Sequence, residues 1–330
     1  MSIYPGFSTE AMTRIWSDES RVAAMADVEA AVAFAQGEAG DIPKSSALAI
    51  AAATAEPFPT AVLAAGWEAG TPVLPLLDCF RSRLDETSSE HLHHKLTTQD
   101  VVDTALMVMA RDATAELRRL GNEAKAALAS ADDRFGRVPT KARSFLQPAA
   151  DTTFGFRIDR WLAPLDALLS APLTFPVQIG GLIGDRDGIS DEVAALAADG
   201  LDLDPAPRAW DTDRTPVVDI VTHALRFGRW SEKVAGDIAL LSAFGEIRTR
   251  GGGSSAAAGK QNPIDAMRAM AAAEACAGVA SIVLMGKPHE LERGLGSWHA
   301  EWFAVPLVFM TSGAATEAVR DSLSTLEVIT

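Results

Sequence analysis

Tyrosine occurs once and cysteine twice in 330 residues, and aromatic side chains make up only 6% of the chain. So few aromatics, with strand-like alternation scarce, speak against a large sheet. The two cysteines, Cys79 and Cys276, lie far apart in mostly apolar surroundings, so no disulfide framework, CxxC pair or Cys/His zinc pattern is available. Reduced structural thiols in a cytoplasmic protein fit that usage. A basic stripe is missing as well. The 44 acidic against 29 basic residues leave a net charge of −15, and no nucleic-acid partner is expected, because phosphate neutralisation supplies most of such affinity. The N-terminus lacks the basic segment and apolar stretch of a signal peptide. The nearly apolar run from Ala275 to Gly286 is too short to cross a bilayer, so no membrane association is expected. A Walker loop, a Rossmann fingerprint and a G-x-S-x-G elbow are all absent.

Helical periodicity is what the chain has in abundance. From Thr97 to about Ala131 the residues Val102, Leu106, Met109, Ala113, Leu117 and Leu120 recur at spacings of four and three. Thr97-Thr98-Gln99-Asp100 resembles a capping box at its start. About 34 residues at roughly 1.5 Å each predict a rod of about 50 Å. A second rod follows Pro216 through Val217, Ile220, Ala224, Phe227, Ser231, Val234, Ile238 and Leu241, and a third runs from Ile264 to Met285. Two more are expected from Thr153 to Leu169, kinked at Pro164, and from Trp298 to Leu326, kinked or interrupted at Pro306. The expected fold is all-α, with a smaller N-terminal helical domain over residues 1–95 and a central long-helix bundle over 96–330. Helices this long, apolar on more than one face, call for packing against copies of the same chain. The loops that interrupt them, Ser88 to Gln99, Thr140 to Ala150, Gln178 to Gly188 and Arg248 to Pro263, are the candidate functional segments.

The Gly/Ser-rich segment from Gly251 to Pro263 has two readings, a plain connection or a mobile loop that brings a serine, a lysine and an asparagine to one site. It resembles the G-S-S-x-M-P-x-K-x-N signature of the fumarase/aspartase superfamily. Gly253, Ser254, Ser255, Lys260 and Asn262 match in register, with Ala257 and Ala258 at the usual methionine and proline. His93 to Thr104 resembles the block H-x-G-A-T-S-Q-D-x-x-D-T, with Lys95 and Leu96 in place of glycine and alanine. Arg143 to Ala149 resembles R-T-H-L-Q-x-A, with Phe145 where fumarases carry a catalytic histidine and the cycloisomerase branch an aromatic tryptophan. Val177 to Gly181 and Trp210 to Arg214 resemble the V-Q-x-G-G and W-H-T-x-R segments, Asp211 replacing the histidine. Phe7 to Pro43, Lys233 to Glu246, Glu292-Arg293 and Trp298 to Trp302 extend the similarity to the bacterial 3-carboxy-cis,cis-muconate cycloisomerases. Many superfamily members continue into a further C-terminal domain, before which this sequence stops.

The resemblance implies a fumarase/aspartase-like bundle and an intramolecular lyase that interconverts 3-carboxy-cis,cis-muconate and its lactone in protocatechuate breakdown. It implies Ser254 as the proton donor, with Lys260 and Asn262 stabilising the enediolate. Thr97, Thr98, Gln99, Gln147 and Ser255 would hold carboxylates, and Lys95, Arg143 and Arg214 would supply local positive charge, with Arg248 and Arg250 as further candidates. His93 would orient substrate or give a proton, its ordinary pKa suiting that task. Its neighbours His91 and His94 could suggest a metal, but a polar loop is the stronger reading. The resemblance further implies a homotetramer whose sites draw on three subunits, a small polycarboxylate substrate, and neither metal nor organic cofactor. Two other functions stay open: an amine- or hydro-lyase of the same superfamily, and an inactive helical scaffold.

Overall fold

The computed structural model describes residues 5–253 and 261–329. Ser254, Ser255, Ala257, Ala258 and Lys260 lie outside the described residues. Among those described, twelve helices follow one another: α1 (Glu10–Ile15), α2 (Asp18–Ala39), α3 (Lys44–Thr54), α4 (Ala61–Ala69), α5 (Val73–Arg81), α6 (Glu86–His91), α7 (Thr98–Phe135), α8 (Phe154–Ser170), α9 (Asp191–Gly200), α10 (Thr215–Ala243), α11 (Ile264–Leu284) and α12 (Gly296–Ser324). Hydroxyl or carboxylate side chains of Thr9, Ser17, Asp85 and Ser190 cap α1, α2, α6 and α9 by accepting a first-turn N–H. Pro216 sits in the first turn of α10, where its missing N–H costs nothing.

The five expected rods correspond to α7, α8, α10, α11 and α12. The rod α7 runs past Ala131 to Phe135 and stops at Gly136, whose N–H returns to the Asp132 carbonyl. Helices α8 and α12 continue through Pro164 and Pro306 without a break. The segment from Thr140 to Ala150, expected as a loop, is instead an antiparallel hairpin of β1 (Pro139–Ser144) and β2 (Gln147–Thr153). Its residues are mostly exposed and none is buried, so pairing there leaves no alternating apolar signature. Two further short pairs join β3 (Ile247–Arg248) to β6 (Glu327–Val328), and β4 (Gly251–Gly252) to β5 (Asn262–Pro263).

Contacts fix the direction of each rod. Arg214, at the start of α10, bonds Asp103 in the second turn of α7, and Arg143, beyond the end of α7, bonds Glu246 beyond the end of α10. Helices α7 and α10 are therefore parallel. Helix α11 returns, delivering Arg293 to Gln99, and α12 sets out again from Trp298 beside Asp103. The bundle thus has a front end, at the start of α7, and a back end, at the hairpin. The 38 residues of α7 separate them by about 57 Å.

One apolar core runs from α1 and α2 into the bundle, through Met12, Val28, Met107, Leu117, Phe227 and Phe309. Where rods pass closest, small residues are required. A Cβ on Gly121 of α7 would lie 2.9 Å from Leu169 and 3.0 Å from Phe227. By length and mean hydropathy alone, α11 and α12 could each cross a bilayer. The apolar stretch is longer than the expected Ala275 to Gly286 because alanines and methionines extend it back to Ile264. Helix α12 is core, 78% buried over that window, whereas α11 is only 28% buried and leaves Met267, Met270 and Ile282 exposed.

Candidate active site

At the front end, His93 and Lys95 take positive φ values of 59° and 62°, a left-handed conformation that turns the chain into α7. The Thr97 N–H donates to Asp100 Oδ2 at 2.9 Å, which is the reciprocal half of a capping box. Thr97 and Thr98 are half-buried at this helix start, where unpaired N–H groups and the helix dipole suit a carboxylate. The Thr71 hydroxyl donates to Thr98 Oγ1 at 3.3 Å. His93 faces inward, its Nδ1 2.6 Å from Glu29 Oε1. Lys95 is exposed and has no hydrogen bond or ion pair among the described residues.

Behind these residues lies a buried polar lattice. The Arg214 guanidinium grips both oxygens of Asp103, at 2.6 and 3.1 Å, and Glu301 Oε2 at 2.6 Å. Those two carboxylates hold its pKa above the ordinary guanidinium value although burial opposes them. Gln99 donates to Asp103 Oδ2 at 2.9 Å and to the Asp211 carbonyl at 2.6 Å, and accepts from Arg293 at 3.1 Å. Trp298 Nε1 donates to Asp103 Oδ1 at 3.0 Å. Gln99 and Arg214, expected as substrate ligands, are thus engaged within the protein.

Asp100 accepts N–H groups of Thr97, Gly180 and Gly181, with Gln178 bridging from Asp100 to Asp211. Burial pushes its pKa up to about 7; the backbone N–H groups pull it down and the Asp211 charge raises it further. The second Asp211 oxygen has no partner among the described residues, and a Cβ on Gly184 would come within 2.7 Å of it.

At the back end, the hairpin turns on Phe145 and Leu146, with φ values of 49° and 65°. A two-residue turn of this hand normally uses asparagine or glycine, so two bulky residues there store strain, a frequent mark of functional positions. Phe145 is 99% exposed at the tip, and Gln147 beside it is exposed too. Arg143 braces the turn: it bonds Glu246, donates to the Leu146 carbonyl at 3.2 Å and stacks over Phe244 at 4.3 Å. Asn262 pairs with Gly252 across the β4–β5 contact. A cavity of about 400 Å³ beside it is lined by Arg248, Thr249 and Gln261. Arg250 is held by Asp265, at 2.7 and 3.0 Å.

The expected residues therefore fall into two groups within one chain: His93, Lys95, Thr97, Thr98, Gln99 and Arg214 in front, and Arg143, Gln147 and Asn262 behind. Sequence reasoning did not single out Glu29, Thr71, Asp103 or Glu301 as site residues. Asp103 stands at the second aspartate of the His93 to Thr104 block, whereas no spacing pattern marks Glu29, Thr71 or Glu301, whose partners are distant in the chain. Among the described residues, no group of three His, Cys, Asp or Glu side chains is arranged to hold a metal.

A bundle of long rods with polar loops at both ends, and a helix N-terminus suited to carboxylates, defines a helical lyase-type enzyme. The chain belongs to the Lyase family, whose profile matches residues 81–278, and its fold is that of the fumarase/aspartase-like bundle. It is 29% identical over 343 residues to 3-carboxy-cis,cis-muconate cycloisomerase of Acinetobacter baylyi, covering 96% of this chain and 75% of that protein. It is 32% identical over 342 residues to the Pseudomonas putida cycloisomerase, covering 94% and 79%. Trans-aconitate decarboxylase 1 of Mycosarcoma maydis is 30% identical over 338 residues, covering 98% and 69%. Among solved structures, a fumarate lyase from Mesorhizobium sp. BNC1 superposes with a TM-score of 0.89 at 27% identity, covering 99% and 78%. The cycloisomerase of Acinetobacter calcoaceticus superposes with a TM-score of 0.88 at 26% identity, covering 98% and 77%.

Proposed function

We propose that the protein is a cycloisomerase interconverting 3-carboxy-cis,cis-muconate and its carboxymuconolactone, an intramolecular lyase of aromatic-acid breakdown. The observation that carries this is the likeness over 94–96% of the chain to two bacterial cycloisomerases. Phe145 at the hairpin tip agrees with it: a phenyl ring transfers no proton, which disfavours the two-residue acid–base scheme of a fumarate-releasing lyase.

In the lactonising direction, a substrate carboxylate oxygen bonds to a diene carbon and the π pair moves to the carbon beside another carboxylate. The enediolate so formed takes up one proton. In this reading Ser254 gives the proton, while Lys260 and Asn262 hold the negative oxygen. Thr97, Thr98, Ser255 and Gln147 bind the other carboxylates, with Lys95 and Arg143 supplying positive charge against the net −15 of the chain. His93 orients the substrate. Gln99 and Arg214 act by fixing the helix end that carries Thr97 and Thr98. The chemistry calls for no metal or organic cofactor.

The two groups of residues stand at opposite ends of a rod of about 57 Å, so one chain does not close a site. The reading therefore includes a cytoplasmic homotetramer in which three subunits build each site and the exposed face of α11 packs against other copies.

The test is the loss of diene absorbance when the protein meets freshly generated 3-carboxy-cis,cis-muconate, with Ser254→Ala beside it. Rapid loss abolished by the substitution supports reaction and role together. Loss retained in the variant keeps the reaction and removes Ser254 as the donor. No loss in either, with fumarate released from succinyl adducts, moves the assignment to an elimination on the same scaffold.

A further inference from the structure

One to three turns along α7 from Thr98, between the N-terminal helices and α12, lies a cavity of about 350 Å³. It is at the small end of ligand pockets, which run from ~300 to ~1,000 Å³. Leu63, Trp67, Leu106, Met109 and Phe303 make its walls largely apolar. Its polar side chains are Arg21, His299 and three tryptophans, Trp16, Trp67 and Trp302. Of the seven tryptophans, Trp161, Trp210, Trp230 and Trp298 each donate their indole N–H to a partner. Trp16 and Trp302, whose indole nitrogens are buried without a partner among the described residues, line this cavity with their rings. Arg21 lines it too, its side chain making no hydrogen bond or ion pair among the described residues. Burial holds its pKa below the ordinary guanidinium value, opposed only by the charge of Asp18. The remaining polar side chain, His299, has its Nδ1 3.1 Å from the Leu295 carbonyl and its Nε2 3.5 Å from the Gly70 carbonyl, of which a neutral ring donates to one.

An unpaired guanidinium on an otherwise largely apolar lining calls for a ligand that brings an acceptor. One guanidinium balances one negative charge, and a second carboxylate would lie unpaired against apolar walls. Aromatic rings on several sides favour a flat apolar body that can stack or pack edge to face. We propose that this cavity binds a small aryl monocarboxylate, its carboxylate on Arg21 and its ring among Trp16, Trp67 and Trp302. This ligand is distinct from the polycarboxylate substrate, and none of the residues assigned to that substrate lines the cavity.

Tryptophan emission of the full-length protein reports on binding, with phenylacetate as the probe and 2-phenylethanol as its neutral counterpart. Phenylacetate should give a saturable change, and the alcohol should bind at least about tenfold more weakly. Arg21→Met should weaken phenylacetate by at least about tenfold while leaving the alcohol unchanged. Leu63→Trp, which fills the cavity, should abolish both responses, with thermal unfolding confirming that each variant folds. Should Leu63→Trp fail to fold, the Arg21→Met comparison decides alone. Absence of a saturable change, equal affinity for acid and alcohol, persistence of binding in both variants, or displacement by propane-1,2,3-tricarboxylate would overturn the proposal.

Discussion

His93 Nδ1 stands 2.6 Å from a carboxylate oxygen of Glu29, a side chain only 1% exposed on α2, so the N-terminal helices set the charge of the front end. Burial alone would pull the imidazole pKa down, but the Glu29 charge and hydrogen bond outweigh it and the net shift is upward. Glu29→Gln removes the larger of the influences that oppose burial and leaves only the charge of Asp100 to raise the pKa. The pH-profile limb belonging to His93 should then move to lower pH, and an NMR titration of His93 should move the same way. The stability contributed by the pair is complete below the unfolded value of 6.5 and is lost as pH rises through the raised folded value. A limb and a titration that both stay in place would detach Glu29 from this role.

Arg214 is 9% exposed between Asp103 and Glu301, themselves 1% and 7% exposed. Arg214→Met strands two buried carboxylates and should cost about 3–5 kcal/mol in urea unfolding. Arg214→Lys should recover only part, because an ammonium does not reproduce a fork shared by two carboxylates. A destabilisation below about 1 kcal/mol, the range of a surface pair, would contradict the buried lattice.

Asp100 titrates near 7 while buried, against 3.8 when free, so the stability gained by keeping it protonated is complete below 3.8 and is lost as pH rises through about 7. Asp211→Asn removes a neighbouring charge that raises this pKa. The unfolding midpoint of the variant should decline less between pH 4 and 7 than that of the parent protein. An identical decline in both would separate the two carboxylates energetically.

The hairpin tip carries strain that replacement can release. Phe145→Asn with Leu146→Gly places residues tolerant of positive φ at both turn positions, and should stabilise the protein by about 1–2 kcal/mol in unfolding experiments. Activity should fall in the same variant, because the exposed phenyl ring is lost from a candidate site. Full activity with raised stability would leave Phe145 as strain without function.

The long rods are legible in the sequence because Val102, Leu106, Met109 and their successors repeat on a stripe that burial enforces. The hairpin is not, because Thr140, Lys141, Arg143 and Asp151 offer no apolar face and a two-residue turn sets the pairing. Thr97, Thr98 and Asn262 are visible through motif resemblance and helix-end chemistry. Glu29 is invisible, since it meets His93 across 64 residues with no periodicity joining them. For the same reason, Arg214 reads as a free cation until its two carboxylates are seen in space.

Front and back groups separated by about 57 Å make a prediction about mixed assemblies. Thr98→Val damages only the front group and Asn262→Ala only the back, and each variant alone should be nearly inactive. If every site joins the front of one subunit to the back of another, random reassembly of a 1:1 mixture leaves about a quarter of the sites with both parts intact. Activity should therefore recover to about a quarter of the parent value after dissociation and reassembly, while sedimentation shows a tetramer throughout. A site contained in one chain would give no recovery at any mixing ratio, because every chain in the mixture carries one defect.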